Sequence, residues 1–217
     1  MKRLIYSGGR LKGGVYSPFL FFLGVGLLVF VNVSSLSAYP VQYKEQYYRL
    51  YHLHYIQYPD DTIENIYWLE KALSADFANP LYAAARIENE IQYEKYRYLF
   101  MMHLNLKMIE QYLFLGNKWN KRGAYFYNKP WKEQNLKSLE TAETCYKAAL
   151  LYWDDAVEWA NKALERRFQF IDLEQIHFWQ DEAARIADTT LDYAKTINRE
   201  LSLLQKVRET FQAMEDD

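Results

Sequence analysis

The placement of its backbone breakers constrains this chain more than any other feature. Six of the eight glycines lie before residue 27. After residue 39 only Gly116 and Gly123 remain, with prolines at positions 40, 59, 80 and 130. The long stretches between them are rich in Ala, Leu, Glu, Lys and Gln. These residues lose little freedom in a helix, whereas strands and tight turns would need the missing breakers. An all-α fold is therefore expected from residue 39 onward, with helices longer than the globular average. The 20 tyrosines suit it: each adds apolar area with a hydroxyl that can stay wet, as thin helical layers require.

The first 38 residues follow other rules. Residues 1–17 are basic and Gly-rich, Pro18 to Val31 is a 14-residue apolar run, and Asn32 to Ala38 is small and polar. This three-part pattern is that of a secretory signal. Extended through Val33, the run reaches about 16 residues, close to the lower limit for a spanning helix. A signal peptide over 1–38 and an inner-membrane anchor over 18–33 are thus the two readings. Both leave the basic end inside and residues 39–217 in a periplasmic or other extracytoplasmic space. Lys2, Arg3, Arg10 and Lys12 are the only charges before residue 39, so removing them moves the formal net charge from −2 to about −6. No nucleic acid is expected as a partner of such a chain, because nucleic-acid binders present a basic face. Cys145 is the only cysteine; it allows no internal disulfide and is expected to be buried.

Along the chain, Val41 to Tyr58 places Tyr43, Tyr47, Leu50, Tyr51, Tyr55 and Tyr58 mostly three or four apart, one helical face. Pro59 stops it, and Asp60, Asp61 and Thr62 offer acceptors to the free amides of a second helix. Asn79-Pro80 predicts the cap and first turn of a third helix, running unbroken for about 35 residues to a stop at Gly116-Asn117. Residues 117–131 are expected to be irregular. From about Lys132 a fourth helix runs to about Arg167 on the phase Leu136, Leu139, Ala142, Tyr146, Ala149, Trp153, Ala156, Ala160, Ala163. Asp172 and Gln175 fit a capping box opening one last helix from Ile176 to Phe211, which packs on the bundle or forms a coiled coil. From Asp172 onward the chain carries eleven acids against five bases.

The stretch Ile63 to Arg86, IENIYWLEKALSADFANPLYAAAR, resembles a tetratricopeptide repeat (TPR), a helix-turn-helix unit of about 34 residues. Leu69, Lys71-Ala72-Leu73 and Asn79-Pro80 match the second helix and its exit, and Leu81 to Arg86 matches the start of the next repeat. Ala156, Ala160 and Ala163-Leu164 give a second match. The usual packing glycine is absent and the proline falls about three residues late relative to the repeat. The resemblance implies a divergent TPR-like antiparallel helical bundle or short solenoid with long helices, acting as a scaffold for peptides or protein faces. Exported TPR-like proteins serve bacterial envelope assemblies, including accessory parts of flagellar motors, and the resemblance implies that setting.

Chemistry has little support in the sequence. Glu174 and His177 make one Glu-x-x-His pair, with Asp181 one turn on. Di-iron bundles need two such pairs, and Arg49, Tyr51 and Phe100 precede the other histidines by three. No Gly-x-Ser-x-Gly, Cys-His or phosphate-loop pattern follows the export segment. Catalysis, a metal site and a cofactor are therefore not expected, and a metal-dependent helical enzyme stands only as the third alternative. The stretch 117–132 carries five bases (Lys118, Lys121, Arg122, Lys129, Lys132), five aromatics (Trp119, Tyr125, Phe126, Tyr127, Trp131) and no acid. It is the expected partner-binding surface. Its partners would be other proteins of an envelope assembly, with a glycan such as peptidoglycan or a membrane surface as alternatives. The oligomeric state is left open.

Overall fold

The structure, a computed structural model, describes residues 40–121 and 131–214. Among these residues it is all-helical, with no strand and one isolated bridge from Tyr43 to Asp76. Six α-helices pack as a bundle: α1 (Lys44–Gln57), α2 (Thr62–Ser74), α3 (Glu90–Trp119), α4 (Lys132–Ala163), α5 (His177–Ala187) and α6 (Tyr193–Gln212). The all-α antiparallel bundle with long helices is the expected fold class.

The layers follow chain order. α1 and α2 form a hairpin, closed where Tyr58 and Pro59 end α1 and Asp61 caps α2 by accepting a hydrogen bond from Glu64 N at 3.3 Å. α2 lies on α3, α3 on α4, and α4 on α6, while α5 covers α3 and α4 on one face. The spine is the α3–α4 pair. Between Leu99 and Ile109 almost every residue of α3 is buried. A helix apolar all round is one that neighbours wrap on every side. α4 answers with a strict three-four stripe, Leu139, Ala142, Tyr146, Ala149, Trp153, Ala156, Ala160 and Ala163, all buried. Its repeated alanines leave room for the large side chains of α3. Cys145 is buried beside that stripe.

Several boundaries differ from the sequence expectation. The third helix begins at Glu90, not at Pro80. Asn79 does cap, accepting from Leu81 N at 3.0 Å, but only a single 3-10 turn, Pro80–Tyr82. Residues 83–89 continue without helix, so that the whole connection from residue 75 to residue 89 lies as a strap against α3. The run of alanines favours helix, yet tertiary bonds outbid it. Tyr93 Oη donates to Ala78 O (2.7 Å), Ala84 N donates to Tyr96 Oη (3.2 Å) and Arg86 N donates to Gln175 Oε1 (3.1 Å). Leu81 to Arg86 is therefore not the first helix of a next repeat. The working cap of α3 is Asn89, which accepts from Gln92 N at 2.9 Å.

Gly116 does not end α3 either. It sits inside the helix, where an added Cβ would lie 2.4 Å from Cε1 of Tyr146. This glycine serves close approach, not a left-handed turn. The left-handed residue past the helix end is Lys121, at φ 55°. The fourth helix ends at Ala163, short of Arg167; a 3-10 turn, Arg166–Phe168, follows and tucks Phe168 into the core. The Asp172–Gln175 box does not form, because Asp172 accepts from Gln180 Nε2 (2.7 Å) while Gln175 receives Arg86 N. The last predicted helix is two helices. Thr189 turns left-handed at φ 64°, Asp188 accepts from Thr190 N, and Asp192 caps α6 by accepting from Lys195 N. α6 packs within the chain, burying Ile197, Leu204 and Phe211 at heptad spacing.

Candidate functional site

The predicted partner-binding residues divide into three groups. Arg122, Tyr125, Phe126, Tyr127 and Lys129 lie outside the described residues. Lys118 and Lys132 are committed within the fold. Lys118 Nζ donates to Asp60 O (2.6 Å) and Thr62 Oγ1 (3.0 Å), pinning the end of α3 to the α1–α2 turn, and lies 4.6 Å from the Phe114 ring centre. Lys132 Nζ donates to Met214 O at 2.8 Å, tying the start of α4 to the end of α6. The third group forms a surface. Trp119 (41% exposed) and Trp131 (53% exposed) line one open groove with Lys121, Gln134, Asn135 and Ser138. The end of α3 supplies one tryptophan and the start of α4 the other. The end of α3 is held by Tyr146 of α4, whose Oη donates to Asn117 Oδ1 (2.8 Å) and accepts from Asn120 Nδ2 (3.2 Å).

Two buried lysines follow the pattern of Lys118 and went unnoticed in the sequence. Lys44 Nζ donates to Ala72 O (3.1 Å) and Leu73 O (2.5 Å), the free carbonyls at the end of α2, where the helix dipole favours a cation. Lys95 Nζ donates to Phe168 O (3.4 Å) and Ile171 O (2.6 Å), holding the turn after α4. Burial lowers the pKa of both ammonium groups, because water no longer solvates the charge.

His103 anchors a polar chain through the core. It is 2% exposed. Its Nδ1–H donates to Glu182 Oε2 at 2.8 Å, and its Nε2 accepts from Tyr48 Oη, also at 2.8 Å. The imidazole stacks on Trp179 with ring centres 4.9 Å apart. The chain joins α1, α3 and α5. Burial, only partly opposed by the Glu182 carboxylate, lowers the pKa of His103; burial pushes the Tyr48 phenol up to about 12. Both groups are thus held neutral near pH 7, and the Tyr48 hydroxyl and both ring nitrogens of His103 are hydrogen-bonded, which is what burial of such groups demands.

Above Tyr48, Phe100 and Trp179 opens a second groove, which sequence reading did not find. Tyr82 from the strap (73% exposed) and Phe178 from α5 (52% exposed) stand at its rim, beside Arg49 and His52 of α1. These residues are far apart in sequence, and only the strap brings Tyr82 beside α1. His177, singled out with Glu174, sits in water 3.8 Å from Asp172 and 3.5 Å from Asp181. No group of three or more His, Cys, Asp or Glu side chains among the described residues is arranged to hold a metal ion. No helix among them is long and apolar enough to cross a membrane.

A six-helix bundle spined by one fully wrapped helix and carrying two open aromatic grooves defines the structural class. The model of a family described as a domain of unknown function, DUF8513, matches residues 91–214. The match covers more than half of the chain, and the protein belongs to that family. It takes in α3 through α6, so the spine and its α5 and α6 cover are the family unit, while α1, α2 and the strap lie outside it. No curated protein and no solved structure matches the chain.

Proposed function

We propose that this protein is an exported, non-catalytic scaffold that docks other proteins of a bacterial cell-envelope assembly. The carrying observation is the Trp119–Trp131 groove. Two large aromatic rings are kept half in water at the joint of the two longest helices, with Lys121 lining the same groove. Aromatic side chains left this exposed are the usual anchors of interfaces, since a partner gains by covering them. The signal-like pattern of residues 1–38 supports the extracytoplasmic setting. The TPR resemblance supports the scaffold role and suggests a membrane machine such as the flagellar motor.

The test is co-purification of the full-length protein from detergent-solubilised native membranes, with partners identified by mass spectrometry. The wild type recovers a reproducible set of envelope proteins, and the Trp119→Ala/Trp131→Ala variant loses it. Recovery of the wild type alone, or an unchanged set in the variant, refutes the reading.

A second reading has a specific observation in its favour. Gln134, Asn135 and Ser138 line the same groove, and amides and hydroxyls beside an aromatic platform suit a glycan. Sedimentation with cell-wall sacculi that the double variant abolishes supports that reading; sedimentation that it leaves unchanged counts against it.

A further inference from the structure

We infer that the second groove, between α1, the strap and α5, is a docking site for a short acidic peptide segment carrying an aromatic or aliphatic side chain. This rests on the scaffold reading and adds a second, chemically distinct site to it.

The argument starts from charge. Glu45 and Arg49 stand one turn apart on α1, the spacing and order at which a surface ion pair forms. The pair is not made. Glu45 turns inward instead, accepting from Ala78 N (2.9 Å) and from Tyr96 Oη (3.2 Å). Both of its oxygens are occupied by the strap and by α3. Arg49 is left exposed, and among the described residues it has no ion pair or hydrogen bond. His52, one turn further along the same edge of the groove, is likewise exposed and unpaired among them. The one carboxylate lining the groove is thus spent within the fold, while its guanidinium is free. A guanidinium offers a planar fork of donors that fits a carboxylate in two places at once.

The apolar half comes from other elements. Tyr82 and Phe178 stand open at the rim, and Phe100 and Trp179 lie buried beneath, their ring centres 5.4 Å apart. Phe178 is held against Trp179 (5.5 Å) and against the imidazole of His103 (5.6 Å), both edge-to-face, so it is presented in a fixed position. Of the polar atoms in the floor, the Tyr48 hydroxyl already donates to His103, whereas the buried Nε1–H of Trp179 has no hydrogen-bond partner among the described residues. A peptide that lays an apolar side chain between Tyr82 and Phe178 and a neighbouring carboxylate on Arg49 covers the two open rings and pairs the free guanidinium. A basic segment would meet the Arg49 guanidinium unfavourably.

The experiment uses the full-length protein in detergent and a phage-displayed library of random dodecapeptides. Enriched sequences are made as fluorescein-labelled peptides, and their affinity is read by fluorescence anisotropy. The expected result is enrichment of Asp or Glu next to an aromatic or branched aliphatic residue. Affinity should fall at least tenfold in Arg49→Glu and again in Phe178→Ala, and Arg49→Glu should regain binding to a peptide whose acids are replaced by lysine. Because Phe178 also packs on Trp179, Tyr82→Ala provides a second apolar test in a more exposed side chain, and far-UV circular dichroism checks each fold. No enrichment, enrichment of basic or uncharged peptides, or an affinity indifferent to Arg49→Glu overturns the inference. Failure here, with an envelope set still lost on removing Trp119 and Trp131, sinks this site and spares the scaffold reading. Acidic peptides that depend on Arg49, with no protein recovered from membranes, do the reverse.

Discussion

Replacing Gly116 by alanine sets two physical effects against each other, and the structure decides the sign. Gly116 lies within α3, where alanine is worth about 1 kcal/mol of helix propensity over glycine. On propensity alone the variant is stabilised. The new methyl, however, would stand 2.4 Å from Cε1 and 2.8 Å from Cδ1 of Tyr146. Carbon atoms in contact sit about 3.5–4.0 Å apart, so the ring must move by more than an ångström. That ring is fully buried, and its hydroxyl is fixed by Asn117 and Asn120. Overpacking of this kind costs about 1–3 kcal/mol, and each buried hydrogen bond lost about 1 kcal/mol more. The expected net effect is a destabilisation of about 1–4 kcal/mol after the propensity gain is offset. Urea unfolding followed by far-UV circular dichroism measures it, with the m-value checked for constancy. The same substitution in a Tyr146→Ala background should change sign and stabilise by about 1 kcal/mol, because only propensity remains. A Gly116→Ala protein more stable than wild type would refute the close-approach account of this glycine.

Other outcomes follow from the buried polar groups. The folded-state pKa of His103 lies below its unfolded value near 6.5, so its contribution is fully present above that value and is lost as the pH falls through it. Tyr48, Glu182, Lys107 and Glu110 are the titratable groups that face it. The urea midpoint should therefore drop between about pH 7 and pH 5, and drop less in His103→Gln; equal slopes would remove His103 as the cause. Lys44→Met should destabilise by about 1–3 kcal/mol, since it leaves two carbonyls of α2 without their donor, whereas Lys118→Met, at an exposed site, should cost less than about 1 kcal/mol; thermal or urea melts that rank them the other way would refute the assignment. Burial raises the pKa of the Cys145 thiol, and the thiolate is the reactive form. Its reaction with a disulfide reagent should be slow in the folded protein and fast in urea, and rapid native labelling would count against a buried thiol.

Helix existence was legible in the sequence and several helix ends were not. The three-four stripe from Leu139 to Ala163 fixed α4 because burial is periodic and its face is continuous. The same signal misled at residues 187–193, where the apolar phase carries straight across a break made by Asp188, Thr189 and Thr190. Polar capping there is local, and a hydrophobic count does not register it. Residues 83–89 misled for the opposite reason. Their alanines favour helix, and the hydrogen bonds that hold them out of one come from Tyr96 and Gln175. At the expected partner-binding stretch, the tryptophans were read as surface and are surface. Lys118 and Lys132 were read as surface charge and are bonded to main-chain carbonyls. A lysine that caps a distant helix looks, in sequence, like any solvated lysine. The groove at Arg49 was beyond reach for the same reason, since its emptiness depends on Glu45 turning away from its sequence neighbour.

The wrapped helix α3 also works as a ruler. Phe100 lies under one groove and Trp119 lines the other, and the 19 helical steps from one to the other span about 28 Å at 1.5 Å per residue. Encased by α2, α4 and α5, this strut does not bend to suit a guest. A single partner bridging both grooves must carry its two contact elements on a connector of at least about eight extended residues. A connector of matching length would make the second contact intramolecular and raise avidity without any new bond. A shorter one would leave each groove to a different molecule, and the protein would then hold two clients at a fixed separation.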